Sequence, residues 1–157
     1  FESDERKGMA EFAGAFLSKI TTAFERDRPD FVLTLGDRPE MLMVAVACLY
    51  LGIPSGQLHA GDKSSTVDDA ARHAITKLSS LHFAATTDAA TRVEKMGEEK
   101  WRIKLVGAPA LDVILNEKLP SPKEVNDFLG ISPGDDFILV TQHPVSEMWQ
   151  DAGAQMM

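Results

Sequence analysis

FVLTLGDRPEMLMVAVACLYLGIPSGQLHA, residues 31–60, is the stretch on which the fold turns. FVLTL (31–35) is a continuous apolar run of β-favouring residues, the composition of a strand buried on both faces of a parallel sheet. Gly36-Asp37 ends the run. Pro39 then suits the first turn of a helix, because its φ is already helical and its missing N–H has no partner there anyway. That helix is expected to reach about Leu51. Gly52-Ile53-Pro54 breaks it, and GQLHA (56–60) is the next strand. Strand, helix and strand in so short a span form a crossover unit, which joins parallel strands and is right-handed in nearly all folds.

The alternation extends outward in both directions. Upstream, Phe12, Ala15, Phe16, Lys19, Ile20, Ala23 and Phe24 keep helical spacing, which predicts an amphipathic helix over 8–27 stopped by Pro29. Downstream, the polar loop GDKSS leads to a helix opening at Thr66, where Thr66 and Asp69 have capping-box spacing with Asp in place of the usual Glu. Its buried stripe is Val67, Ala70, Ala71, Ala74, Ile75 and Leu78. HFAAT (82–86) reads as a strand, 88–97 as a helix ending at Gly97, WRIKLVG (101–107) as a strand, and Ala110 to Asn116 as a short helix. The order α-β-α-β-α-β-α-β-α predicts an α/β fold, a parallel sheet with helices on both faces. Residues 1–116 are read as one incomplete domain. Residues 117–135, with Pro120, Pro122 and Pro133 around the short helix EVNDFLG, read as an interdomain link. FILVTQHP (137–144) reads as the first strand of a second α/β domain, of which 136–157 would be the start.

Bulk properties narrow the function. The chain has 157 residues, 44% hydrophobic and 25% charged, which is ordinary globular composition. Its net charge of −8 argues against non-specific nucleic-acid binding, which needs Lys and Arg to displace counterions. A single anionic ligand stays compatible, since a local site can be positive on an acidic protein. Cys48, the one cysteine, lies in the apolar run 41–51 and reads as a small core residue. The lack of a disulfide framework points to the cytoplasm. FESDERKGMA is no secretory signal and 41–51 is too short to span a bilayer, so no membrane role is expected. The chain opens without Met and closes on DAGAQMM, so both ends are expected to be cuts in a longer protein. Trp101 and Trp149 are read as packing residues.

In open parallel sheets, ligands bind beyond the carboxyl ends of the strands. That rule selects Gly36-Asp37-Arg38, His59-Ala60-Gly61-Asp62, Gly107-Ala108-Pro109 and Gln142-His143-Pro144. Asp37 suits a helix N-cap as well as a site. His59 and His143 suit general acid–base work, because histidine titrates near neutral pH with little help. On the helix from Thr66, Asp68 and Arg72 form one i,i+4 pair and Asp69 and His73 another. The bland reading is two surface ion pairs; the functional one has Asp68 facing a ligand that Arg72 orients. No glycine-rich phosphate loop, zinc-ligand spacing or nucleophile elbow is present, so neither a metal nor a cofactor is expected.

PDFVLTLGDRPEML (29–42), IPSGQLHAGDKSSTVDDAARHAITKLSSLHF (53–83), VGAPALD (106–112) and ILVTQHPVSE (138–147) together resemble the UDP-N-acetylglucosamine 2-epimerase family. DDAARHAITKLSSLHF is the most specific piece and is similar to the hydrolysing members; non-hydrolysing members carry a longer insertion with a PEE-type motif. The resemblance implies two Rossmann-like domains of GT-B type with a UDP-sugar in the cleft between them. It implies anti elimination of UDP through a 2-acetamidoglucal, then hydration to N-acetylmannosamine for sialic-acid-type synthesis, or the same chemistry on UDP-diacetylbacillosamine.

Position by position, the resemblance implies catalytic roles for Asp37, His59, Asp68 and His143. His59 stands where many members have glutamate, and Ala60 and Asp62 replace the glycine and glutamate of a GGE sequence. Arg38, Asp62, Arg72, His73 and Glu147 are implied as substrate-binding residues. A homodimer or homotetramer is expected for the intact protein, and this chain alone is expected to be inactive. The readings left open are the non-hydrolysing epimerase, a GT-B glycosyltransferase that needs an acceptor, and a non-catalytic module that binds UDP-sugars.

Overall fold

The computed structural model describes residues 6–64, 67–132, 134–141 and 152–155. The chain divides into two compact units, Phe1–Ala108 and Pro109–Met157. In the first unit a long helix α1 (Arg6–Asp27) precedes β1 (Val32–Leu35), α2 (Pro39–Leu51), β2 (Ser55–Leu58), α3 (Val67–Leu78), β3 (Leu81–Ala84), α4 (Thr87–Lys95) and β4 (Ile103–Leu105). The four strands pair in the order β1-β2-β3-β4, all parallel. This is the α/β sheet with flanking helices that the alternation predicts.

The boundaries have local causes. Gly52 closes α2 in the left-handed region at φ 69°, with its N–H on the last carbonyls of the helix. Thr86 caps α4 through a side chain that accepts from the Ala89 N–H. The strand expected over 101–107 is shorter than its apolar content suggests. Lys100–Arg102 is a 3-10 turn, held because the Arg102 guanidinium donates to the Ser79 and Ser80 carbonyls at 2.7 Å each. Trp101 in that turn is 64% exposed and donates to Glu99, so it is not the packing residue expected. Trp149 lies outside the described residues.

Register decides what each face carries. Thr34, Gln57 and His82 are aligned across β1, β2 and β3, and all three are fully buried. Gln57 bonds to α3 on that side, and α1 packs on α2 and α2 on α3. The opposite face carries Leu33, Leu35, Leu58 and Phe83. The Phe83 and Phe31 rings close over Gly56, where a Cβ would come within 2.7 Å of Phe83. Helices on both faces are expected, but Leu33 and Leu35 are more than half exposed. The strand order β1-β2-β3-β4 accounts for this: crossovers that run the same way across a sheet with the usual right hand put their helices on one side.

Cys48 is buried as expected, as are Ala45, Ala47, Ile75 and Val93. In the second unit, α5 (Pro109–Asn116) is followed by α6 (Pro122–Leu129), whose Ser121 and Glu124 form a capping box, and by a short α7 (Ala152–Gln155). Residues 135–141 form no strand, against the expectation for FILVTQHP, whose last residues lie outside the described ones. No strand among the described residues pairs with 137–141, and a strand is defined by its ladder. No helix described is long and apolar enough to cross a membrane.

Candidate functional site

The carboxyl ends of β1 and β2 lie side by side, with the Gly36 N–H donating to the Leu58 carbonyl at 3.5 Å. Asp37 stands two residues beyond β1 and His59 one residue beyond β2. Asp37 is not the cap of α2. That position is Arg38, in extended conformation and making no side-chain cap bond. Gly36, at φ 78°, turns the chain so that the Asp37 carboxylate meets α3. There it receives a hydrogen bond from Arg72 Nη2. Arg72 Nη1 lies 3.4 Å from Asp69 Oδ1, and Asp69 accepts from the Ser64 N–H at 2.6 Å and the Ser64 hydroxyl at 3.0 Å.

Sequence spacing pairs Arg72 with Asp68; the structure gives it Asp69, at i,i+3, and Asp37 from another element. Asp68 is half-buried in the first turn of α3. Asp69 was missed as a site neighbour because it read as a cap partner for Thr66, which lies outside the described residues. Arg72 is buried between two carboxylates, the partners that a desolvated guanidinium needs. Its Nε, like Nδ1 of the neighbouring His73, is buried with no hydrogen-bond partner among the described residues.

Gln57 is the other residue that sequence reasoning passed over. Fully buried, it donates to the Arg72 carbonyl at 3.1 Å and the Gly36 carbonyl at 3.4 Å, and accepts from the Thr76 hydroxyl at 2.6 Å. It ties the turn bearing Asp37 to the helix turn bearing Arg72. The available signal was a polar residue inside a strand, since a buried polar group is the informative exception.

At the β2 tip, His59 adopts φ 59°, left-handed for a residue with a Cβ. This ends the strand before the expected His59-Ala60. Nδ1 of His59 lies 2.8 Å from Asp62 Oδ2, with both side chains about one third exposed. The following loop is clamped from below. Ala60 is buried, Gly61 lies against the Ala89 backbone, and Arg92 donates to the Gly61 carbonyl. Arg38 lies at the surface, paired with Glu40 at 3.2 Å. His143 and Glu147 lie outside the described residues.

A second polar cluster sits under β3. Glu98, nearly buried, receives Lys77, Arg102 at 3.2 Å and His82 at 3.1 Å. Burial pushes the His82 imidazole below its ordinary value, against the pull of Glu98. Burial would raise Glu98, but Lys77 and His82 more than offset it and hold the carboxyl low. Among the described residues no cluster of three His, Cys, Asp or Glu could hold a metal ion.

The family model described as UDP-N-acetylglucosamine 2-epimerase matches residues 1–157. The chain belongs to the UDP-N-acetylglucosamine 2-epimerase family. It is 43% identical over 141 residues to the UDP-N,N'-diacetylbacillosamine 2-epimerase (hydrolyzing) of Legionella pneumophila, covering 90% of this chain and 37% of that protein. It is 37% identical to a UDP-N-acetylglucosamine 2-epimerase of Neisseria meningitidis, over 83% of this chain and 34% of that one. Among solved structures, the Methanocaldococcus jannaschii UDP-GlcNAc 2-epimerase in complex with UDP-GlcNAc and UDP matches at a TM-score of 0.67 and 25% identity. That match covers 78% of this chain and 35% of that one. The parallel sheet is thus part of the GT-B-like fold of these epimerases. The chain spans little more than a third of the relatives it matches.

Proposed function

We propose that the intact protein containing this chain is a hydrolysing UDP-sugar 2-epimerase, releasing UDP and a free 2-epimeric N-acetylamino sugar. The observation that carries the reading is the juxtaposition of Asp37–Arg72 and His59–Asp62 on adjacent strand tips, in a chain of this family. In the reaction the C2–H pair becomes the C1=C2 bond, its proton goes to a base, and UDP leaves with the C1–O pair. Water then supplies OH to C1 and C2 regains a proton. Both halves need side chains that gain and lose a proton beside the sugar. Asp37, His59 and Asp68 are proposed for those transfers and His143 for the diphosphate end. Arg38, Arg72, His73 and Glu147 are proposed as substrate contacts, and Asp62 as the partner of His59.

The hydrolysing branch is supported by DDAARHAITKLSSLHF and by the Legionella relative. The test is product analysis of the intact protein with UDP-GlcNAc. N-acetylmannosamine plus UDP is expected; UDP-N-acetylmannosamine as the end product would overturn the branch. The same relative favours a second substrate, UDP-N,N'-diacetylbacillosamine, and kcat/KM on the two sugars decides between them.

A further inference from the structure

We propose that Asp62 is a positioning residue that acts through His59, fixing the imidazole as its Nδ1–H form so that Nε2 carries the lone pair the site uses. The inference deepens the epimerase reading and rests on it for the reaction, though not for the geometry. Three observations meet at this turn. Nδ1 of His59 stands 2.8 Å from the Asp62 carboxylate. An ionised carboxylate can only accept, so at this distance Nδ1 carries the proton. The His59 backbone is held at φ 59°, a conformation that costs a residue with a Cβ and persists only where surrounding structure enforces it. The enforcing structure is the buried Ala60-Gly61 segment locked onto α4 by Ala89 and Arg92.

The position of Asp62 follows from that turn. Its N–H donates to the His59 carbonyl at 3.4 Å, which brings its carboxylate back beside the imidazole ring. In the proposed step Nε2 forms an N–H bond with the proton it takes, and the bonding pair stays on the atom that lost it. The positive charge of the resulting imidazolium is stabilised by Asp62 through Nδ1–H. A histidine–aspartate pair thus stands where a lone carboxylate would gain a proton and become neutral. It also explains why Asp62 stands three residues after His59, the spacing of the salt bridge.

The test reads the tautomer directly. Ring nitrogen shifts of the chain, labelled at histidine and with His59 assigned by a His59→Gln variant, are expected to show the Nδ1–H form in the parent. In Asp62→Ala they should show the Nε2–H form that a free imidazole prefers. In the intact protein, Asp62→Ala is expected to lower kcat about 100-fold with KM little changed. Asp62→Glu should recover part of that, and Asp62→Ala in a His59→Gln background should add almost nothing. An Nε2–H tautomer in the parent, or a raised KM at unchanged kcat in Asp62→Ala, would overturn the proposal. The tautomer needs no turnover, so a protein inactive on UDP-sugars that keeps the Nδ1–H form refutes the epimerase reading and leaves the positioning role standing.

Discussion

Arg72 in α3 donates to the carboxylate of Asp37 at the tip of β1, thirty-five residues earlier in the chain. Both side chains are mostly buried, at 11% and 22% exposure, so the pair is shielded from the screening that makes surface ion pairs worth little. Removing the guanidinium would leave Asp37 and Asp69 as uncompensated neighbours. Arg72→Met is expected to cost about 3 kcal/mol, within the range for breaking a buried pair. Urea unfolding at unchanged slope checks it. The double variant Arg72→Met with Asp37→Leu should regain part of the loss, and a double variant as unstable as the sum of its singles would remove the coupling.

Gln57 makes the same junction from inside. Its amide spans the Gly36 carbonyl, the Arg72 carbonyl and the Thr76 hydroxyl. Gln57→Leu keeps the volume and removes those three hydrogen bonds, worth about 1 kcal/mol each, while the Thr76 hydroxyl keeps its bond to the Arg72 carbonyl at 3.0 Å. We expect a drop of about 3 kcal/mol in stability. In the intact protein kcat should also fall, because the turn holding Asp37 is no longer fixed to α3. Gln57→Glu, which can still accept from Thr76 but cannot donate to the two carbonyls, should fare no better than leucine.

The sheet was legible because each strand–helix boundary carries its own chemical stop. Pro39 and Gly52-Ile53-Pro54 mark ends of α2 that no tertiary contact has to supply. The face that Thr34, Gln57 and His82 share was not legible, since alternation in strands this short does not say which side the crossover helices take. Asp37 could be placed at a strand tip, but whether it caps a helix or meets Arg72 depends on the φ of Gly36. Spacing pairs Arg72 with Asp68 and His73 with Asp69, whereas in the folded helix Arg72 reaches Asp69 at i,i+3. FILVTQHP has strand composition, yet composition cannot provide a neighbour to pair with.

Acid should weaken the first unit in two stages. The folded-state value of His82 lies below its ordinary 6.5, chiefly through burial. An unfolded chain therefore takes up that proton first, and stability present above pH 6.5 is lost as pH falls toward the folded value. The Glu98 carboxyl is also held below its ordinary 4.5: burial raises it, and Lys77 and His82 outweigh that. Its contribution is present above pH 4.5 and is lost as pH falls further. Urea midpoints from pH 8 to about 3 should decline from about pH 6.5 downward. His82→Gln should flatten the first stage, while Glu98→Gln should remove the second and lower stability at neutral pH by leaving Lys77 and Arg102 without their carboxylate. A His82→Gln protein with the parent's pH dependence between 6.5 and 5 would reassign the first stage.

Gly36 and Gly61 follow neighbouring strands with nearly the same φ, 78° and 77°, so alanine at each separates conformational strain from contact. At Gly36 the new Cβ meets nothing within 4 Å. Gly36→Ala is therefore expected to cost only the left-handed penalty, about 1–2 kcal/mol. At Gly61 the Cβ would lie 2.3 Å from the Ala89 carbonyl oxygen, backbone that cannot swing aside, and 2.7 Å from Val93. Gly61→Ala adds overpacking of about 1–3 kcal/mol to the same penalty. Relief requires the loop to lift off α4, which loosens the Arg92 contact and carries His59 and Asp62 with it. Gly61→Ala should thus lose more stability than Gly36→Ala and also disturb the His59 ring resonances, whereas Gly36→Ala should leave those resonances in place. Equal losses in the two variants would mean that Ala89 is not the constraint on this turn.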